Sequence, residues 1–181
     1  IGKNAFVQVF ESTRGMRVGD EAEFEGHMLE VTLGPGMLSR NYDGLQNDLD
    51  KMEGVFLRRG EYTFPLDNDK LWDFKPLAKV GDKVTAGGWL GEVDENFQPH
   101  KIMVPFTFKG EYTVKSLKEA GQYTIGEVIA VLTDEAGKDV EVTMIQRWPV
   151  KRAITCYKEK PRPYKLLETG VRTIDTVNPI V

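Results

Sequence analysis

The chain has 181 residues, 40% of them hydrophobic and 29% charged, with 24 Lys and Arg against 28 Asp and Glu for a net charge of −4. That mixed, mildly acidic balance excludes a general electrostatic pull toward nucleic acid or anionic lipid. One cysteine, Cys156, excludes an internal disulfide framework and every zinc site built on cysteine pairs.

The length suits one domain, or two small ones, with a real core. No apolar run approaches the roughly 18 residues that a membrane helix needs. Cys156 reads as a free, partly buried thiol in a reducing cytoplasm. The chain opens at Ile1 without a signal peptide and closes at Val181 after a Pro-Ile step, so it is expected to be a piece of something longer.

Short strands punctuated by glycine dominate. Residues 4–10 alternate, with Phe6, Gln8 and Phe10 on one face and Val7 and Val9 on the other. A second alternating run passes through Ala22 and Phe24 to Gly26, and a third strand covers 28–33, ended by Gly34-Pro35-Gly36. These three strands predict the end of a small antiparallel barrel whose earlier strands lie upstream. In residues 41–54, Leu45, Leu49 and Met52 recur at helical spacing and predict one or two helical turns, with Asp43, Asp48 and Asp50 facing solvent. Their spacing does not match a calcium loop.

Residues 55–76, with Arg58, Arg59, Gly60, Pro65 and Pro76, read as an irregular connection. The β pattern resumes over 77–132, and residues 140–150 read as one more alternating strand. The tail, 158–165, reads as an extended proline-rich linker. The fold class is mainly β, with little helix.

Residues 79–93 (KVGDKVTAGGWLGEV) are echoed by 119–132 (EAGQYTIGEVIAVL). Each holds a glycine turn, a short alternating stretch, a second turn and an apolar strand. This predicts two interlocked hairpin halves around one core, and it resembles the barrel-sandwich hybrid of biotinyl and lipoyl carrier domains. A carrier needs its modified lysine at an exposed hairpin tip. Lys101 stands between His100 and Ile102-Met103, four positions before Pro105, and reads instead as an unmodified surface lysine.

No G-x-x-x-x-G-K-[ST] loop is present. His27 and His100 are the only histidines, and neither lies near a nucleophile motif. Glu23, Glu25 and His27 read as a solvated strand face, and Trp72, Trp89 and Trp148 as packing residues of the β modules. No catalytic, cofactor-binding or metal-binding residue is predicted in this chain.

The ends carry a stronger resemblance. Glu11, Thr13 and Gly15, then Gly19-Asp20, then Leu29, Val31, Gly34, Pro35, Leu38 and Arg40 are similar to the end of the N-terminal barrel of rotary ATPase nucleotide-binding subunits. Thr169, Gly170, Arg172, Ile174, Asp175, Pro179 and Ile180 resemble the lead-in to their nucleotide-binding domain. The phrases VGDKV (80–84), HKIMVP (100–105) and QRWPV (146–150) resemble the extra module of the catalytic A subunit of V-type and archaeal-type ATPases.

The resemblance implies four parts. They are the last barrel strands (1–40), a linker with short helical turns (41–66), the β-rich insertion (67–150) and the lead-in to an absent nucleotide domain (151–181). It also implies an ion-translocating ATPase or ATP synthase that couples ATP to proton or sodium transport and uses MgATP in the intact subunit, with the catalytic residues beyond Val181. The implied partners are the V-type B subunit in an alternating hexameric ring and peripheral-stalk subunits held by the insertion, without nucleic acid or membrane insertion. The implied location is cytoplasmic, in the soluble sector peripheral to the membrane. A carrier domain and a stand-alone structural adaptor are the alternatives.

Overall fold

The architecture is that of a computed structural model describing residues 7, 9, 12–24, 26–52, 60–157, 159–160 and 162–181. Its strands are β1 (Glu30–Leu33), β2 (Trp72–Pro76), β3 (Lys83–Val84), β4 (Trp89–Glu95), β5 (Gln98–Met103), β6 (Tyr112–Leu117), β7 (Gly121–Tyr123), β8 (Ala130–Thr133), β9 (Asp139–Val142) and β10 (Gln146–Pro149). A 3-10 turn spans Leu49–Lys51, and a short helix, α1, spans Arg172–Val177.

Two four-stranded antiparallel sheets carry the mass of the fold, ordered β5-β4-β2-β7 and β3-β6-β8-β9. Each half of the near-repeat builds most of one sheet and lends its shortest strand to the other. Thus β3, from the first half, pairs with β6, while β7, from the second, pairs with β2. The orders superimpose when β2, β3, β4 and β5 are matched to β6, β7, β8 and β9. This is the predicted interlock, and the sheets do not close into a barrel.

Alternation explains the two cores. In β2, Trp72 and Phe74 turn inward while Asp73 and Lys75 face out. They join Leu66, Val93, Ile102, Ile125, Ile129 and Met144 in one cluster. Leu90, Val104, Val114, Ala130, Leu132 and Val142 form the other, and Leu117 packs against both. Burying each large side chain contributes about 1.5–3 kcal/mol. The segment read as an irregular connection therefore ends in a strand, because Trp72 and Phe74 supply the alternation that its prolines obscure.

Two other expectations are corrected. Residues 140–150 form two strands in different sheets. The chain turns at Thr143, whose hydroxyl faces the backbone of Ile145, while Met144 is buried and its N–H bonds the Ile125 carbonyl. The second barrel strand, near residues 22–26, is absent among the described residues. Residues 16–24 are exposed and find no partner strand there, and a local turn from Arg17 to Asp20 holds them instead. The predicted first strand, 4–10, lies outside the described residues except for the exposed Val7 and Val9, as do Glu11, Glu25, Arg58 and Arg59. The third strand is present as β1.

Candidate functional site

Strand β1 pairs with β10 in a separate two-stranded ribbon, with Val31 opposite Trp148 and Leu33 opposite Gln146. The chain thus leaves the insertion beside the strand that precedes the GPG loop (34–36). Gln46, held at φ 64°, closes the other edge of β1. Its side-chain amide donates to the Thr32 carbonyl and accepts from the Thr32 N–H, each at 2.7 Å.

The GPG loop then folds against the insertion. Added Cβ atoms would lie 2.7 Å from Ile145 Cγ2 at Gly34 and 3.5 Å from Trp72 Cζ2 at Gly36, so the loop backbone is in contact with that core. Gly36 sits at φ 104°, a conformation open to glycine.

Glu95 closes the seam. It ends β4 with only 2% of its surface exposed. Its Oε1 accepts the N–H of Gly36 at 2.7 Å and of Leu38 at 3.0 Å, and its Oε2 accepts from His100 Nδ1 at 2.7 Å. Next door, Asn96 Nδ2 donates to Ser39 Oγ at 3.2 Å. Sequence reasoning missed Glu95. Its one signal was an acid at the inward position of a strand.

Beyond the loop, polar groups organise residues 40–52 and 60–66. Asp43 accepts from the N–H groups of Leu45 and Asn47 and from Asn47 Nδ2, which makes an Asx turn where helix was expected. Burial pushes the Asp43 carboxyl up, but the bonds from Asn47 and Leu45 outweigh it and hold it below the usual carboxylate range. Asp48, expected to face solvent, is buried at 1%, with Arg40 Nη1 at 3.3 Å and Lys51 Nζ at 3.8 Å. Tyr42 donates to the Pro65 carbonyl at 2.8 Å, and burial first, then the Asp48 charge, push its hydroxyl up.

The other singled-out residues are dispersed. Lys101 lies inside β5, bonded to Glu92 and 5.0 Å from the centre of the Trp89 ring, while the hairpin tip is Asn96-Phe97. The hydrogen bond from Lys101 holds the Glu92 carboxyl below its ordinary value. Trp72 and Trp148 are buried, as expected of packing residues. Trp89 is 56% exposed, because the β4–β5 register shifts beside it and leaves its ring outside both cores.

With Gly87, Met103, Phe106 and Tyr157, Trp89 walls a cleft of about 620 Å³ on which Cys156 lies as a free, partly buried thiol. His27 sits at an exposed bend, 3.0 Å from the Met28 carbonyl, with no strand face shared with Glu23. At the far end Asp175 takes the Thr169 hydroxyl and the N–H groups of Thr169 and Gly170, which holds its carboxyl low and secures α1.

Among the described residues no three His, Cys, Asp or Glu side chains gather as a metal site, and no helix is long and apolar enough to cross a membrane. The arrangement is a structural seam in which a β module is bound to an incoming loop through a buried carboxylate.

Comparisons with known proteins agree with this organisation. Residues 63–151 match the family model described as the ATP synthase alpha/beta subunit barrel-sandwich domain. Over 99% of its length the chain is 47% identical to the V-type ATP synthase alpha chain of Treponema denticola, covering 31% of that protein. It is 46% identical to that of Borrelia garinii subsp. bavariensis, covering 32%, and 43% identical to that of Protochlamydia amoebophila, covering 31%. The chain thus spans about a third of the length of these relatives.

Proposed function

We propose, for a chain that belongs to the V-type ATP synthase alpha-chain family along its whole length, that it is the structural shoulder of a rotary ATPase catalytic subunit. The observation that carries this reading is the joint between a barrel-sandwich module and the GPG loop, within a sequence that matches those relatives from end to end. The intact subunit couples ATP hydrolysis or synthesis to proton or sodium transport. It stands in an alternating ring with the B subunit, in the cytoplasmic sector peripheral to the membrane, and its insertion reaches the peripheral stalk.

The residues of this chain do not fit MgATP. No glycine-rich loop with a following Lys-Ser or Lys-Thr pair occurs in the sequence, and Asp43, Asp48 and Asp175 are each engaged in turns, caps or ion pairs. The chain's part is mechanical. It holds the insertion at a set position relative to the ribbon of β1 and β10. The carrier reading finds no support in geometry, since Lys101 is a mid-strand residue paired to Glu92.

A chimera tests the proposal. The matching region of the Treponema denticola alpha chain is replaced by this chain, and the complex is assembled with its other subunits. Assembly with retained ATP turnover is expected. A chimera that folds but does not enter the ring would sink the reading.

A further inference from the structure

We propose that a second copy of this chain docks on the open edge of β5, antiparallel about a twofold axis, with Phe97 of each copy seated against Trp89 and Met103 of the other. This pairing is independent of the rotary-motor reading.

Phe97 departs twice from what its hairpin needs. Asn96 and Phe97, at φ 51° and 67°, join β4 to β5 through a two-residue turn whose second position favours glycine. A bulky ring in that left-handed conformation is an outlier. The ring is also 101% exposed. The internal repeat supplies the control. Its matching hairpin, β8 to β9, places Gly137 at φ 80° and carries no apolar side chain larger than Ala136 in its loop, 134–138. The fold can thus close this hairpin without strain and without an apolar tip, so the Phe97 ring answers to a contact outside the chain.

The edge beside it is open. β5 ends its sheet, with no described strand beyond it. The two-residue turn makes Glu95 and Gln98 a bonded pair, and alternation makes Val93 with His100 the next. Pro99 and Lys101 therefore turn their backbone groups to the free edge, where Pro99 withholds no bond from β4. A groove of about 530 Å³ lies there, lined by Met37, Leu38, Pro99, Lys101 and Met103.

Self-complementarity selects the occupant. Phe97 stands about 20 Å along the strand from Met103, so it cannot fill the cleft that Trp89 and Met103 wall in its own chain. Two β5 strands set antiparallel, with Lys101 against Pro99 of the second copy, bring each Phe97 opposite Met103 of the other. Each Lys101 N–H then donates to a Pro99 carbonyl. The neighbouring register would set Lys101 directly against Lys101, and opposed like charges disfavour it. In the register chosen the two lysines lie on a diagonal, each bonded to its own Glu92.

Sedimentation and amide exchange on the chain test this. A monomer–dimer equilibrium with a dissociation constant below about 1 mM is expected, the weak end of specific contacts. Exchange of the Lys101 amide slows about tenfold between mostly monomeric and mostly dimeric solutions, while amides in β6 keep their rates. Phe97→Gly weakens the dimer by about tenfold or more and raises the urea midpoint of the monomer, because the turn relaxes. Trp89→Ala weakens it alike. Mixing those two variants restores part of the association, since the mixed pair keeps one intact contact. A chain monomeric at 1 mM, a dimer that leaves Lys101 exchange unchanged, a Phe97→Gly dimer as tight as wild type, or no gain on mixing overturns the proposal. So does a lower urea midpoint in Phe97→Gly, since the ring would then serve its own fold.

Discussion

Gly91 lies flat against the ring of Phe74: a Cβ on Gly91 would stand 2.2 Å from Phe74 Cε2 and 2.8 Å from the Lys75 carbonyl oxygen. One of those atoms belongs to a fully buried side chain and the other to backbone, so neither can give way freely. Gly91→Ala should destabilise the insertion by about 1–3 kcal/mol through overpacking. The urea midpoint should fall while the slope of the transition stays the same. A wild-type midpoint would mean that β2 and β4 separate far more easily than their packing implies.

The bond pair between Gln46 and Thr32 imitates a neighbouring strand on the open edge of β1. Gln46→Ala should speed exchange of the Thr32 amide and lower stability by about 1–2 kcal/mol, the net worth of two hydrogen bonds at a partly exposed site. Gln46→Glu keeps the acceptor but loses the donor, and should lie between. Equal exchange in all three proteins would remove Gln46 from any role at that edge.

Acid should loosen the 41–48 turn. Asp43 has an ordinary value of 3.8 and is lowered in the folded chain. Its ionised form therefore binds better folded than unfolded, and its contribution is complete above about pH 4 and lost as pH falls through the lower folded value. Asn47 amide exchange, followed downward from pH 5 and corrected for intrinsic rates, should show protection falling in wild type. In Asp43→Asn the profile should be flat and low. A wild-type profile in that variant would refute the assignment.

Much of this was legible in the sequence, and the misses share a cause. The echo between residues 79–93 and 119–132 foretold the exchange of β3 and β7, because glycine turns and alternation are local signals. The helical spacing of Leu45, Leu49 and Met52 foretold one turn, the 3-10 turn at Leu49–Lys51, but not what precedes it. Asp43 and Asn47 compete for the backbone with their own side chains, so an Asx turn stands there instead of a second helical turn. Ala22 and Phe24 alternate but find no partner strand among the described residues. Glu95 was invisible because its bonds to Gly36 and Leu38 span 59 and 57 positions of sequence, and no local pattern encodes such a contact.

The chain alone should not bind MgATP. Phosphate affinity of this kind comes from a glycine-rich loop, its lysine and its hydroxyl, none of which the sequence supplies. Calorimetry should show no saturable heat at submillimolar nucleotide. A micromolar dissociation constant would require a nucleotide site built from other residues.

The proposed function gives the barrel-sandwich module a mechanical part in the assembly and no part in ATP chemistry. It is tested most directly by removing residues 63–151 from the intact subunit, bridging the gap with a short glycine-rich linker. ATP hydrolysis and ATP-driven ion transport are then measured on the same reconstituted complex. Hydrolysis should survive while transport per ATP falls sharply and stalk subunits dissociate. A deleted complex that keeps its stalk and transports ions with wild-type coupling would contradict it.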